Sequence, residues 1–102
     1  MYSVVKNSFQ NLNKAFENKI RLGIMSILSV NSRVSFNHLK EVLSVTDGNL
    51  ASHLKSLENA GYIAVIKSFK NRKPNTNYEI TPSGEGAFES HLKALEEILN
   101  QL

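Results

Sequence analysis

The 102-residue chain contains no cysteine. This absence excludes disulfide bonds, thiolate metal sites and cysteine nucleophiles, and it is typical of proteins in a reducing compartment. The sequence also lacks an apolar run of the about 20 residues that a membrane span requires. Its N-terminal segment, MYSVVKNSFQ, has no apolar stretch of the kind that a signal peptide contains. We therefore expect a soluble, cytoplasmic protein.

Catalytic patterns are lacking as well. No nucleophile, base and orienting group occur together at a motif spacing, and there is no glycine-rich phosphate loop. We therefore predict no enzymatic activity and no cofactor. The length is that of one domain, or of one domain with an appended helix, and such a chain buries only about two thirds of the surface that it exposes when unfolded. Chains of this size often gain apolar burial by forming symmetric dimers.

The net charge of +3 conceals a strong asymmetry along the sequence. Residues 1–47 carry a charge of +3, residues 48–78 carry +4, and residues 79–102 carry −4. A local basic surface favours a polyanionic partner and steers association with it, whereas the acidic C-terminal segment would be repelled by phosphate. A solvated, charged loop without a partner remains the alternative interpretation of the basic segment.

The most informative stretch is Thr46–Ile66, TDGNLASHLKSLENAGYIAVI, which leads into the acid-free segment Lys67–Lys73. Leucines at spacings of 4 and 3 predict a helix with one packed face: Leu50, Leu54 and Leu57. The opposite face is small, polar and able both to donate and to accept hydrogen bonds. A helix that reads base edges in a major groove needs such a face, whereas a surface helix without a partner more often carries Glu and Lys.

The other periodicities predict a mainly α-helical domain with one small β-hairpin, an α+β arrangement. Apolar residues at a 4-3-4 spacing predict a first helix from about Ser8 to Glu17: Val5, Phe9, Leu12 and Phe16. Three further helices are expected to follow the capping residues Asn18, Ser35 and Thr46. The first of these ends near Val30, and Val34 is expected in a short strand.

A hairpin and a long last helix complete the prediction. Tyr62–Phe69 is rich in β-branched and aromatic residues, and Tyr78–Ile80 is its expected partner across a turn that contains Pro74. The tip of this hairpin is basic. Thr81 and Pro82 provide a cap and a first-turn proline for a last helix that runs nearly to Leu102.

Two helices joined by a short turn, followed by a hairpin, constitute a winged helix-turn-helix, and the sequence resembles the MarR/ArsR-type transcriptional regulators. The resemblance covers about residues 16–100. It rests on Ile20–Ile24, on FNHLKEVLSVTDGNLASHLKSLENAGYI and on KSFKNRKPNTNYEITPSGEGAFESHLKALEEIL. It implies an N-terminal dimerisation helix at 1–17, a DNA-binding core at 18–80 and a C-terminal dimerisation helix at 81–102. Within the core, the recognition helix spans about 46–60 and the wing about 62–80.

The resemblance also implies a division of labour on double-stranded DNA. The recognition helix lies in the major groove and the wing reaches the adjacent backbone or minor groove. The implied base contacts are Asn49, Ser52, His53 and Ser56. The implied phosphate contacts are Thr46 and Lys55, together with the wing residues Lys70, Arg72 and Lys73. Gly48 either lets backbone amides approach a phosphate or allows close packing at the turn.

The last helix carries an apolar seam at a 4-3-4-3 spacing: Phe88, Leu92, Leu95, Leu99 and Leu102. We predict that this seam and the N-terminal residues Phe9, Leu12 and Phe16 form a homodimer interface. The alternative is that the last helix packs on the first helix of its own chain. A dimeric repressor would place two recognition helices about 34 Å apart on a pseudo-palindromic site.

The sequence argues against two other functions. Some ArsR-type repressors sense metals with carboxylate and histidine ligands on the last helix, but only Glu89–His91 matches that pattern here, and a zinc site requires about four ligands. No metal is therefore predicted, and His38 and His91 are expected at the surface or at an interface. The alternative to DNA binding is a protein-interaction module, against which the basic wing and the polar helix face both argue.

Overall fold

A computed structural model describes the backbone of residues 2–101 and the side chains of residues 6–101. Over this range the chain forms five α-helices, one 3₁₀ helix and three β-strands. The helices are α1 Tyr2–Gln10, α2 Lys19–Ser29, α3 Phe36–Leu43, α4 Asp47–Asn59 and α5 Pro82–Gln101, and the 3₁₀ helix is Lys14–Phe16. The strands are β1 Val34–Ser35, β2 Ile63–Lys70 and β3 Lys73–Ile80. The predicted α+β class, mainly helical with a small sheet, is confirmed.

Four predicted helix starts are confirmed by the capping residue itself. The side-chain oxygen of Asn18 accepts the N–H of Ile20 at 2.9 Å, and equivalent bonds are made by Ser35, Thr46 and Thr81 at 3.1, 3.2 and 2.9 Å. Each such cap stabilises a helix by about 1 kcal/mol, because it satisfies a backbone donor that the helix leaves unpaired. The helix-turn-helix boundaries therefore follow directly from the sequence.

The predicted first helix, from about Ser8 to Glu17, is wrong in its extent. Helix α1 ends at Gln10, and Lys14–Phe16 forms a separate 3₁₀ turn. Asn13 causes the break: its backbone is extended, at φ −97° and ψ 122°, and its side chain accepts the N–H of Ala15. Asparagine commonly competes with helices through such local side-chain bonds.

The sheet is antiparallel, in the order β1-β3-β2. The hairpin turn is Asn71-Arg72, and the expectation that Pro74 lies in the turn is wrong, since Pro74 lies in β3 opposite Phe69. Both turn residues have positive φ, 54° and 64°, as a two-residue hairpin turn that matches the strand twist requires. Strand β1 pairs only with Tyr78 and Asn77, so the outer half of β3 has a free edge that tolerates proline.

The hydrophobic core lies between the helices and the inner end of the sheet. It contains Phe16, Ile24, Met25, Leu28, Val34, Leu39, Leu50, Leu54, Leu57, Ile63 and Phe88. The three leucines of the α4 stripe are at most 2% exposed, which confirms the packed face. Phe16 and Phe88, which the sequence predicts at the dimer interface, instead pack edge to face within the core, with ring centroids 5.5 Å apart. Because both rings are buried within one chain, these two side chains offer almost no surface to a second copy.

Asn13 also joins the start of the domain to α5. Its backbone N–H donates to Nδ1 of His91 at 2.9 Å, and its side-chain amide donates to the hydroxyl of Tyr62 at 3.0 Å. His91 is only 6% exposed and packs against the Phe16 ring. The prediction that His91 lies at the surface is therefore wrong, because its ring serves as a buried acceptor for the segment that links α1 to α2.

No group of three or more His, Asp or Glu side chains within residues 6–101 is arranged to hold a metal ion. Among the helices that the structure describes, none combines the length and the apolar character needed to cross a membrane.

Candidate nucleic-acid interface

Helix α4 separates its two faces as the sequence predicts. Its leucine stripe is buried in the core, and the polar side is solvent-exposed at Gly48, Asn49, Ser52 and Ser56. Amide and hydroxyl groups on an exposed helix can form hydrogen bonds with base edges in both directions. The face is therefore available to a duplex without rearrangement of the core.

The start of α4 is open. Gly48 has no neighbour within 4 Å of where a Cβ would lie, so the alternative that it allows close packing at the turn is wrong. Thr46 is exposed and uses its oxygen as the cap, which leaves its hydroxyl proton free to donate. Asp47, the one acid in the first turn, is paired with Lys40 of α3 at 2.8 Å.

The turn between α3 and α4 is fixed by its backbone. Ser44 adopts a left-handed conformation, with φ 53°, and its N–H bonds back to the end of α3. Such a residue ends a helix sharply, and non-glycine residues rarely occupy the position. Together with the Lys40–Asp47 pair that spans the turn, this geometry sets the angle between the two helices.

His53 is half-buried on α4 and meets an arginine that the sequence analysis did not single out. The Nη1 of Arg21 lies 3.1 Å from Nδ1 of His53, while its Nε donates to the carbonyl of Ala15 at 2.7 Å. A guanidinium can only donate, so Nδ1 must accept and the ring proton resides on Nε2. Burial, and secondarily the Arg21 charge, lowers the pKa of His53 below its ordinary value. Arg21 thus holds His53 as a neutral donor.

The lowered pKa of His53 makes the stability of the protein depend on pH. We expect the free energy of unfolding to decrease as the pH falls below about 6.5, the ordinary histidine pKa. Burial also lowers the pKa of His91, despite an opposing effect of Glu17. The unfolded chain therefore binds more protons than the folded one in this range, and stability rises with pH. Thermal unfolding at pH 7.5 and pH 5 checks this. His91→Asn, which cannot titrate, should show a smaller difference between the unfolding midpoints at the two pH values. An undiminished difference would show that His91 does not contribute to the pH dependence.

The wing presents its basic residues to solvent. Lys70, Arg72 and Lys73 are all exposed around the Asn71-Arg72 turn. Arg72 occupies the second turn position at φ 64°, where glycine is strongly favoured and a side chain is strained by about 1 kcal/mol or more. The turn requires this backbone conformation but does not require a side chain at the position, so an arginine that bears the strain points to a functional role.

A cleft of about 390 Å³ separates the start of α3 from the wing, and the sequence analysis did not predict it. Lys67, Asn75 and Thr76 from the hairpin line it opposite Ser35 and Asn37. Lys67 and Tyr78 also line a second groove beside Lys55 on α4. Lys55 itself pairs with Glu58 at 3.1 Å, although its side chain is 69% exposed. The only sequence signal for Lys67 was its place in the acid-free basic segment.

The residues predicted for a dimer interface differ in their exposure. Phe16 and Phe88 lie in the core, as described above. Leu12 is half-buried, and Leu102 lies outside the described residues. The exposed members are Phe9 at 66%, Leu92 at 45%, Leu95 at 42% and Leu99 at 67%.

Comparison with known proteins identifies this architecture. Residues 20–99 match the family described as winged helix DNA-binding domain, and the chain belongs to that family. It is 38% identical over 79 residues to an uncharacterised protein of Methanocaldococcus jannaschii, and the aligned residues cover 78% of this chain and 86% of that protein.

Solved structures agree with this assignment. A transcriptional regulator homologue from Pyrococcus horikoshii superposes with a TM-score of 0.84 at 30% identity, over 97% of this chain and 96% of that one. MarR from E. coli shares the fold, with a TM-score of 0.66 at 18% identity over 99% and 81% of the two chains. The predicted resemblance to winged helix-turn-helix regulators is confirmed, and MarR shares the fold. The chain carries a winged helix DNA-binding domain, and its family and fold are those of transcriptional regulators, not of enzymes.

Proposed function

We propose that this protein is a homodimeric, sequence-specific repressor that binds double-stranded DNA. Helix α4 reads the major groove while the wing contacts the backbone or minor groove. The observation that carries this proposal is Arg72, which is exposed at a strained turn position on the tip of the hairpin, where residues 67–78 contain no acid. A regulator acting on chromosomal DNA would work in the cytoplasm, in association with the nucleoid.

Base reading is assigned to the exposed face of α4. Asn49 and Ser52 lie on its N-terminal half, the part of a recognition helix that reaches base edges. Ser56 continues the same face, and His53 offers the Nε2 proton that Arg21 fixes there, which can donate to guanine N7 or O6. An asparagine amide is suited to bidentate contact with adenine.

Phosphate contacts surround this face. Thr46 and the open backbone at Gly48 form the positive end of α4, where anions are stabilised. Lys55 lies further along the helix, and the wing supplies Lys70, Arg72 and Lys73. Since phosphate contacts position a protein but carry no sequence information, these residues contribute affinity, whereas the α4 face contributes specificity.

The dimer proposal rests on the two apolar faces of α5. One face is used within the chain, through Gly84, Phe88, His91 and Ala94. Helix α1 also packs on α5, where Ser8 donates to Glu97 at 2.8 Å, so the intrachain packing considered as an alternative accounts for part of the helix. A second face, lined by Leu92, Leu95 and Leu99, remains 42–67% exposed. We propose that a second copy covers it.

The double variant Leu95→Glu, Leu99→Glu should be monomeric, because it places two charges on a face that has to be desolvated in the dimer. Light scattering coupled to size exclusion measures the mass. Asn100→Glu is the matched control, since it adds a charge to an exposed neighbour outside the leucine face and should leave the assembly unchanged. A wild-type protein that is monomeric at micromolar concentration would remove the argument for a palindromic site.

The function is tested by fluorescence anisotropy of a labelled random-sequence duplex at low and moderate salt. Counterion release predicts a steep loss of affinity as salt increases, with a slope of about −0.9 for each neutralised phosphate. Salt-sensitive binding justifies a search for the preferred site. Absence of binding at low salt would reject the proposal and favour a protein-interaction role.

A further inference from the structure

An apolar pair lies at the tip of the wing, Phe69 on β2 and Pro74 on β3. The two residues are partners in the strand register, so their side chains lie on the same face of the hairpin. Phe69 is 79% exposed, and Pro74 is exposed as well. None of the contacts proposed above involves this pair.

The pair does not contribute to the fold. Strand β2 is buried only at its inner end, at Ile63, and every residue from Lys67 to Lys70 is exposed. Hairpin closure is provided by the Asn71-Arg72 turn and the strand ladder. An exposed phenylalanine at such a position does not stabilise the fold. Exposed apolar side chains that lie together commonly mark a contact surface.

The surrounding charge indicates what the pair contacts. Four basic residues flank it, and residues 67–78 contain no acid: Lys67, Lys70, Arg72 and Lys73. A partner must therefore present an apolar surface between rows of negative charge. The minor groove of DNA does so, because its walls are deoxyribose carbons and its rims are phosphates, and minor-groove proteins frequently place apolar side chains in this groove.

We infer that Phe69 and Pro74 enter the minor groove beside Arg72 and contact its deoxyribose walls. This inference rests on the proposed DNA binding and adds to it a component of wing affinity that does not depend on salt. It also makes the wing selective for groove width, since a narrow groove brings both walls into contact with the pair. Narrow minor grooves occur in A·T tracts.

The test compares Phe69→Ala with the wild type on an A·T-tract duplex and on a G·C-rich duplex of equal length, at several salt concentrations. Phe69→Ala should weaken binding to the A·T tract about tenfold, the effect of removing a partly buried aromatic ring. The salt slope should stay unchanged because no charge is altered. The loss should be smaller on the G·C-rich duplex, and Phe69→Leu should restore most of the affinity.

Val30→Ala is the matched control, because Val30 is 81% exposed but lies beside Glu79 and Glu85, where phosphate is repelled. It should bind as the wild type does. Phe69→Thr, which places a β-branched residue of high strand propensity at this position, separates loss of the ring from loss of the hairpin. Wild-type affinity of Phe69→Ala and Phe69→Thr, or an equal loss on both duplexes, would overturn the inference. Failure of the wild type to bind any duplex would instead reject the proposed function.

Discussion

Replacing Lys70, Arg72 and Lys73 together with alanine is expected to weaken binding to every duplex by roughly a hundredfold or more at about 0.1 M salt. All three side chains are exposed at the hairpin tip, outside the core, so their removal should leave the fold intact. At this salt concentration each neutralised phosphate contributes about an eightfold gain in affinity through counterion release. The slope of log affinity against log salt should therefore become shallower by about 2 to 3.

The contrasting variants are Asn49→Ala and Ser52→Ala on α4. Neither variant changes a charge, so the slope of log affinity against log salt should be preserved. The free energy of binding to the preferred site should weaken by about 1–3 kcal/mol, the contribution of a bidentate base contact. Random-sequence binding should hardly change. Titrations of both sets on the preferred and random duplexes check this division of labour, and equal effects of the two sets on every sequence would contradict it.

Gly84→Ala is expected to destabilise the protein by about 3 kcal/mol, a large part of the stability of a typical domain. A methyl group at Gly84 would overlap the carbonyl oxygen of Tyr62 and lie 2.9 Å from its carbonyl carbon. That carbonyl cannot move freely, because it accepts the N–H of Thr81, whose hydroxyl donates to the carbonyl of Gly61 at 2.7 Å. The start of α5 is thus seated directly on the backbone that links α4 to β2.

The same helix offers the matched control for this substitution. Gly86 is exposed and has no neighbour within 4 Å of a built Cβ, so Gly86→Ala should stabilise the helix by about 0.5–1 kcal/mol. Urea unfolding at a fixed protein concentration compares the two variants, since dimerisation would make apparent stability depend on concentration. Comparable stability of Gly84→Ala and the wild type would show that α5 can shift away from Tyr62.

Features governed by local chemistry could be predicted from the sequence. The capping residues defined helix starts because their side chains bond to donors only two or three residues away. The α4 leucines identified the packed face because helical periodicity determines which side chains share a side. The wing was recognisable from its β-branched strand and basic tip. In each case the information lies within about ten residues of the chain.

Features that depend on tertiary contacts could not be predicted. The segment after α1 is held by bonds from Asn13 to His91 and Tyr62, which are distant in sequence. The apolar spacing of α5 does not show which of its residues pack within the chain. Only the packed domain shows that Phe88 is buried while Leu92 and Leu99 remain exposed. The Arg21–His53 contact joins two helices, and no periodicity in either helix reveals it.

The brevity of β1 has a consequence for the dynamics of the wing. Between Asn77 and the hairpin turn, strand β3 pairs with β2 alone. A two-stranded ribbon of this kind is only marginally stable in water. The outer hairpin should therefore open locally far more often than the core, with rapid amide hydrogen exchange at its tip. Binding would reduce these fluctuations at an entropic cost, and the same freedom lets one wing adapt to grooves of different width.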